Sequence, residues 1–132
     1  MTLYTKCIFH NISPADGIRV SVMSRHTLND GRTIDSRITL QKYDEWLREL
    51  APPSKLVGDW YKQRISWNEF EVRYSQYLRN EQIKEYVKIL GERALNADIT
   101  ILCVEDTSNY CHRRLLAEEC QRYFSDLKVV HK

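Results

Sequence analysis

The chain has 132 residues, 42% of them hydrophobic and 29% charged, with a formal net charge of +2. That length suits one domain with its own hydrophobic core, and no apolar run approaches the roughly 20 residues of a membrane span. So small a basic excess does not by itself point to nucleic acid, whose phosphates select a large positive excess or a clustered patch.

The first segment, Met1 to His10, lacks the long apolar core and small-residue cleavage site of a signal peptide. A cytoplasmic location is the expectation. Leu3 to Phe9 reads as a strand, closed by the polar turn Asn11 to Gly17. Ile18 to Met23 reads as a second strand, with Val20 and Val22 alternating against Arg19 and Ser21. The polar stretch Ser24 to Arg32 follows, and Asn29-Asp30-Gly31 signals a turn. A helix is predicted from about Leu40, because Tyr43, Trp46, Leu47 and Leu50 recur at helical spacing. Pro52 and Pro53 stop it. Ser54 to Ile65 reads as irregular or as one short turn.

Ser66-Trp67-Asn68-Glu69 fits a capping box and opens a second helix, lined by Trp67, Phe70, Tyr74, Tyr77 and Leu78. A third helix is predicted from about Glu81, burying Ile83, Val87 and Leu90, with Gly91 as a stop or weak point. Ile99 to Val104 is a third strand. A last helix runs from about His112 to Phe124, and Leu127 to Val130 is a short final strand. Strands separated by helices give a single α/β domain, 1–132, with a mostly parallel open sheet flanked by helices in three layers. The eight Tyr and three Trp fall largely on helical periods and read as packing.

Chemistry concentrates where two strands end. Cys111-His112-Arg113-Arg114 opens the last helix after the strand ending in Glu105. Ser24-Arg25-His26 follows the second strand. Open α/β sheets bind ligands at the carboxyl ends of their strands. If these two strands are parallel neighbours, Arg25, His26, Glu105, His112 and Arg113 meet at one edge.

At about 100° per residue, Arg113 shares the apolar side of the last helix with Leu116, Ala117, Cys120 and Phe124. Arg114 lies on the polar side with Glu118. Two readings of Arg113 stay open. It holds an anion at the helix N-terminus, or it pairs with Glu105. Cys111 is a candidate nucleophile, since a thiol at a helix start beside cations ionises readily. Its helical phase points away from Arg113, however, and it faces the site only from a loop conformation. His112 and His26 are candidate acids or bases. Asp59 and Tyr61 lie in the middle segment, and no pattern fixes their position.

The four cysteines, Cys7, Cys103, Cys111 and Cys120, lack short paired spacings and read as reduced thiols. Cys7-x-x-His10 and Cys111-His112 carry zinc-type ligands. Adjacent Cys and His side chains rarely reach one ion, so no metal and no cofactor is expected. The phosphate loops and nucleophile elbows of common nucleotide and hydrolase folds are absent.

Cys103-Val104-Glu105 and Cys111-His112-Arg113-Arg114-Leu115-Leu116-Ala117-Glu118 resemble the family called domain of unknown function 488. There a strand ending in Cys-x-Glu precedes a Cys-His-Arg helix start. Val22-Met23-Ser24-Arg25-His26, Leu50-Ala51-Pro52 and Trp67-x-x-Phe70-x-x-x-Tyr74 resemble one branch of it. The resemblance implies a compact three-layer α/β fold and a soluble microbial protein, and it brings no activity. It implies a site of Glu105, Cys111, His112 and Arg113, joined in this branch by Arg25 and His26.

Three functional readings follow. One is an enzyme or sensor for a small phosphorylated or nucleotide-like anion, with Arg25 and Arg113 holding the anion and His26 or His112 moving a proton. Another is a nucleic-acid-binding accessory protein using Arg32, Arg37, Lys42, Lys62, Arg64, Trp60 and Tyr61. The third is an interaction module without catalysis.

Overall fold

Ile99-Thr100-Ile101-Leu102-Cys103 is buried along its whole length, as a strand covered on both faces must be. It forms the centre of the sheet. The computed structural model describes residues 1–132. The strands are β1 (Thr2–Cys7), β2 (Ile18–Ser21), β3 (Glu45–Trp46), β4 (Ile99–Cys103) and β5 (Lys128–His131). They lie in the order β3-β2-β4-β1-β5, and every pairing is parallel. The helices are α1 (Ser54–Tyr61), α2 (Trp67–Leu78), α3 (Lys84–Asn96) and α4 (His112–Tyr123).

Alternation along the strands sorts the two faces. Leu3, Val20, Ile99 and Ile101 point into the main core, which α2, α3 and α4 cover with Tyr74, Leu90 and Leu116. The opposite face carries Lys6, Arg19, Ser21, Thr100 and Leu102. There Thr100 Oγ1 donates to the Asp16 carbonyl at 2.6 Å, and Ile38 and Met23 pack on Leu102. The connections β3–β4 and β4–β5 advance one way across the helical face. The connections β1–β2 and β2–β3 run the other way across the second face. Uniform crossover handedness requires that division. The third layer is therefore irregular chain with short 3-10 turns rather than α-helix.

Buried charge fastens that layer. Asp16 accepts Lys6 Nζ at 3.0 Å and Arg19 Nη1 at 2.6 Å, and its carboxylate also caps the Ser13 N–H. Burial opposes ionisation, but these partners hold Asp16 down to about 2.

The helix predicted from Leu40 does not form. Glu45–Trp46 pairs with Val20 and Ser21 as an edge strand. Asp44 Oδ2 accepts the Arg19 N–H, and Trp46 Nε1 donates to the Met23 carbonyl at 2.7 Å. Ladder and side-chain bonds outweigh the helical period of Tyr43, Trp46, Leu47 and Leu50. The helix lies instead just past the prolines, where an irregular stretch was expected. Pro53 presets the entry to α1, which buries Leu56. At α2 half of the capping box forms. Ser66 Oγ accepts the Glu69 N–H, while the Glu69 carboxylate turns to Arg73. Gly91 does not stop α3. It sits inside the helix where an added Cβ would lie 2.6 Å from the Phe124 ring, so it sets the close approach of α3 to the end of α4.

Candidate functional site

Neighbouring strands β2 and β4 send their chains in opposite directions from their carboxyl ends. Such a switch point leaves a crevice, the usual ligand position in open α/β sheets. The crevice here is a cavity of about 950 Å³. Its floor is Cys103, Cys111, His112 and Met23, and its aromatic wall is Trp60, Tyr61, Trp67, Phe70 and Tyr110. Arg25, Asp30, Asp35 and Arg37 form a polar rim, and Glu105 lies against the wall at Tyr61.

The wall comes from α1, α2 and the loop before α4. Trp67 stacks on Phe70 at 4.7 Å between centroids, and Trp60 and Tyr110 meet Trp67 edge-on. Tyr61 closes one side by donating its hydroxyl to Glu105 Oε1 at 2.7 Å. Burial and that carboxylate push the Tyr61 phenol far above its usual value. Asp59 turns away, toward Lys55, Arg64 and Arg73.

The rim rests on a small hairpin, with Thr27 bridged to Ile34. Asp30 accepts from the Arg32 and Thr33 backbone and the Thr33 hydroxyl, which holds its carboxyl at about 2. Gly31, at φ 71°, lets Arg25 lie against the turn, since a Cβ there would stand 2.6 Å from Arg25 Nη1. Arg37 is committed to Asp35 at 2.7 Å and to the Phe9 ring. Arg25 makes no ion pair and is the unpaired cation of the rim.

On the floor, Cys111 caps α4 in extended backbone, φ −134° and ψ 139°. That is the loop conformation in which its side chain can face the site. His112 Nε2 donates to the Val22 carbonyl at 2.8 Å, tying α4 to the end of β2. Its Nδ1 therefore keeps a free lone pair in the neutral ring, 3.6 Å from Cys103 Sγ. Arg113 lies behind the thiols, not in the cavity wall, and is wholly buried. Its Nη1 donates to the Glu105 backbone carbonyl at 2.7 Å and to Cys111 Sγ at 3.3 Å. Nε and Nη2 are buried without a partner. The Glu105 carboxylate is not its counter-ion.

A buried guanidinium without a carboxylate is costly unless another anion balances it. The thiols beside it are the groups that can supply one. Hydrogen bonding from Cys111, the Arg113 charge and the backbone N–H groups of Val104 and Glu105 hold the Cys103 thiol below its usual value despite burial. Burial and the neighbouring Cys103 push Cys111 well above. Of the two thiols, Cys103 is the one whose ionisation its surroundings favour.

The parallel β2–β4 pairing brings both strand-end segments to one edge. Arg25, Glu105, Cys111 and His112 line the cavity there. His26 turns from it. Its ring stacks on Trp46 at 3.7 Å, with Nε2 2.8 Å from Ser21 Oγ. Burial and the Arg48 charge lower it to about 4. Arg114 pairs with Glu118 as its spacing suggested and also reaches Glu71. Among the residues of the nucleic-acid reading, Trp60 and Tyr61 belong to the cavity wall, and Arg37 and Arg64 are paired. Cys103 also lines the cavity and is not among the candidates the sequence singles out; its signal is its place at the end of the β-branched run, two residues before Glu105.

A family model described as the active DUF488-N3 subclade, DUF488-N3a, matches residues 3–123, from β1 through α4. No curated protein and no solved structure matches the chain. The match spans every element that builds the cavity, and the chain belongs to the DUF488-N3a family.

Proposed function

We propose that the protein is an enzyme acting on a small nucleotide-like anion held in the switch-point cavity. One observation carries this reading: the unpaired Arg25 and a wall of stacked aromatic rings line the same space of about 950 Å³. A planar base stacks on Trp60 or Trp67. A phosphate or carboxylate takes the fork of Arg25. Pockets of this kind combine an apolar wall with a few placed polar groups.

The reacting end of the ligand then lies over Cys103, Cys111 and His112, with Glu105 beside it to carry a proton. Arg113 acts from behind the floor, as the charge that favours an anion above it. His26 supports the Trp46 wall of the β2–β3 edge and takes no part in the reaction.

Thermal unfolding in the presence of nucleoside monophosphates, sugar phosphates and inorganic phosphate tests this. Nucleoside monophosphates raise Tm most, because they alone fill both halves of the cavity. Arg25→Ala abolishes the rise while leaving the unliganded Tm within a few degrees. A flat response across the panel sinks the proposal.

A further inference from the structure

We propose that Cys103, Cys111 and His112 form a binding site for a zinc-like divalent ion at the floor of the cavity. It rests on the proposed function only for its location. Cys103 Sγ, Cys111 Sγ and His112 Nδ1 all lie within 4.8 Å of one another. Ligands at about 2.3 Å for sulfur and 2.0 Å for nitrogen, subtending a tetrahedral angle, stand about 3.5 Å apart. The Cys103 Sγ to His112 Nδ1 distance is 3.6 Å.

The tautomer fits as well. A metal-bound histidine ring donates its other N–H to a carbonyl or carboxylate. His112 donates Nε2–H to the Val22 carbonyl at 2.8 Å and leaves Nδ1 for the ion. The obstacle to adjacent Cys and His ligands is removed by the backbone. Cys111 is extended and His112 is the first helical residue, and with that backbone their ligand atoms lie within 4.8 Å of each other.

Charge completes the case. Two thiolates cancel the ion, and Arg113, with Nη1 on Cys111 Sγ at 3.3 Å, leaves the centre with one positive charge. All three ligands line the cavity, so the fourth position opens into it. Three protein ligands and an open fourth position suit a metal that binds an anionic ligand or activates water. The second cluster, Cys7, His10 and Asp106, lacks this support, because His10 Nε2 is bound to an exposed Asp106 carboxylate.

The full chain is loaded with Zn²⁺ or Co²⁺, desalted, and analysed for metal content and absorption. The expected result is one ion per chain and, for cobalt, tetrahedral d–d bands with thiolate charge transfer. Cys103→Ser, Cys111→Ser and His112→Gln each weaken Zn²⁺ binding by more than the roughly 100-fold that outer-shell losses reach. Cys7→Ser does not. Should a ligand variant fail to fold, the wild-type chain still decides. Zn²⁺ must release protons and block alkylation of Cys103. No retained metal, no cobalt–thiolate band, or binding lost in Cys7→Ser alone overturns the proposal. Arg25→Ala separates the two proposals, since it keeps the metal and loses nucleotide protection.

Discussion

His112 Nε2 donates to the Val22 carbonyl across 2.8 Å, and this bond fixes both the tautomer of the ring and the seam between α4 and β2. His112→Ala leaves the carbonyl of the buried Val22 without this donor. It should cost about 1–3 kcal/mol, measured as a lower urea midpoint with an unchanged slope. An unchanged midpoint would show that the bond does not form in solution.

After the Cys111 hydrogen bond, the Arg113 charge helps to hold the Cys103 thiol below its usual value. In metal-free protein, Arg113→Met should slow Cys103 alkylation at pH 7, because the thiolate loses a neighbouring positive charge. Stability should change little, because an apolar side chain replaces a buried charge that no carboxylate pairs and whose Nε and Nη2 have no partner. Stopped alkylation followed by peptide mass analysis reads this site by site. Equal rates in the two proteins would remove Arg113 from the chemistry.

Acid stability should fall in two stages. Below pH 6.5 the unfolded chain takes up a proton that folded His26 refuses until about pH 4, so stability drops across that window by about 3 kcal/mol. Asp16 is held down to about 2, so its contribution, about 2 kcal/mol, is present above pH 4 and disappears between pH 4 and 2. Urea titrations at stepped pH check both. His26→Gln should flatten the first stage and leave the second.

Gly31→Ala should weaken anion binding while Arg25 itself is kept. The new Cβ meets Arg25 Nη1 at 2.6 Å and displaces the guanidinium from its place against the turn. The positive φ of 71° adds a strain of about 1 kcal/mol. Nucleotide affinity and Tm, measured together, separate the two effects. Unaltered affinity would place the anion elsewhere.

Sequence patterns carried the sheet well. The β-branched run of β4 and the Ser66 cap of α2 have strong local causes, and the structure places both within a residue or two of the reading. The segment from Leu40 to Leu50 failed because its aromatic spacing imitates a helix. Its real determinants are distant, namely the Val20–Ser21 ladder and the Met23 carbonyl. The position of Arg25, Glu105, Cys111 and His112 at one strand-end edge was legible, and all four line the cavity. The orientation of His26 was not, because stacking on Trp46 depends on that same unforeseen edge strand. The place of Arg113 on the apolar side of α4 followed from its helical phase; its full burial behind the cavity did not. Nor did its lack of a carboxylate, because Glu105 is drawn to Tyr61 by α1, a helix where the sequence suggested irregular chain.

Calorimetric titration of a nucleoside monophosphate into the wild-type chain and into Arg25→Ala addresses the cavity most directly. Saturable one-site binding to the wild type, at least about 10-fold weaker in Arg25→Ala, is the predicted result. Absence of saturable binding, or equal affinity in the two proteins, would contradict an anion site on Arg25.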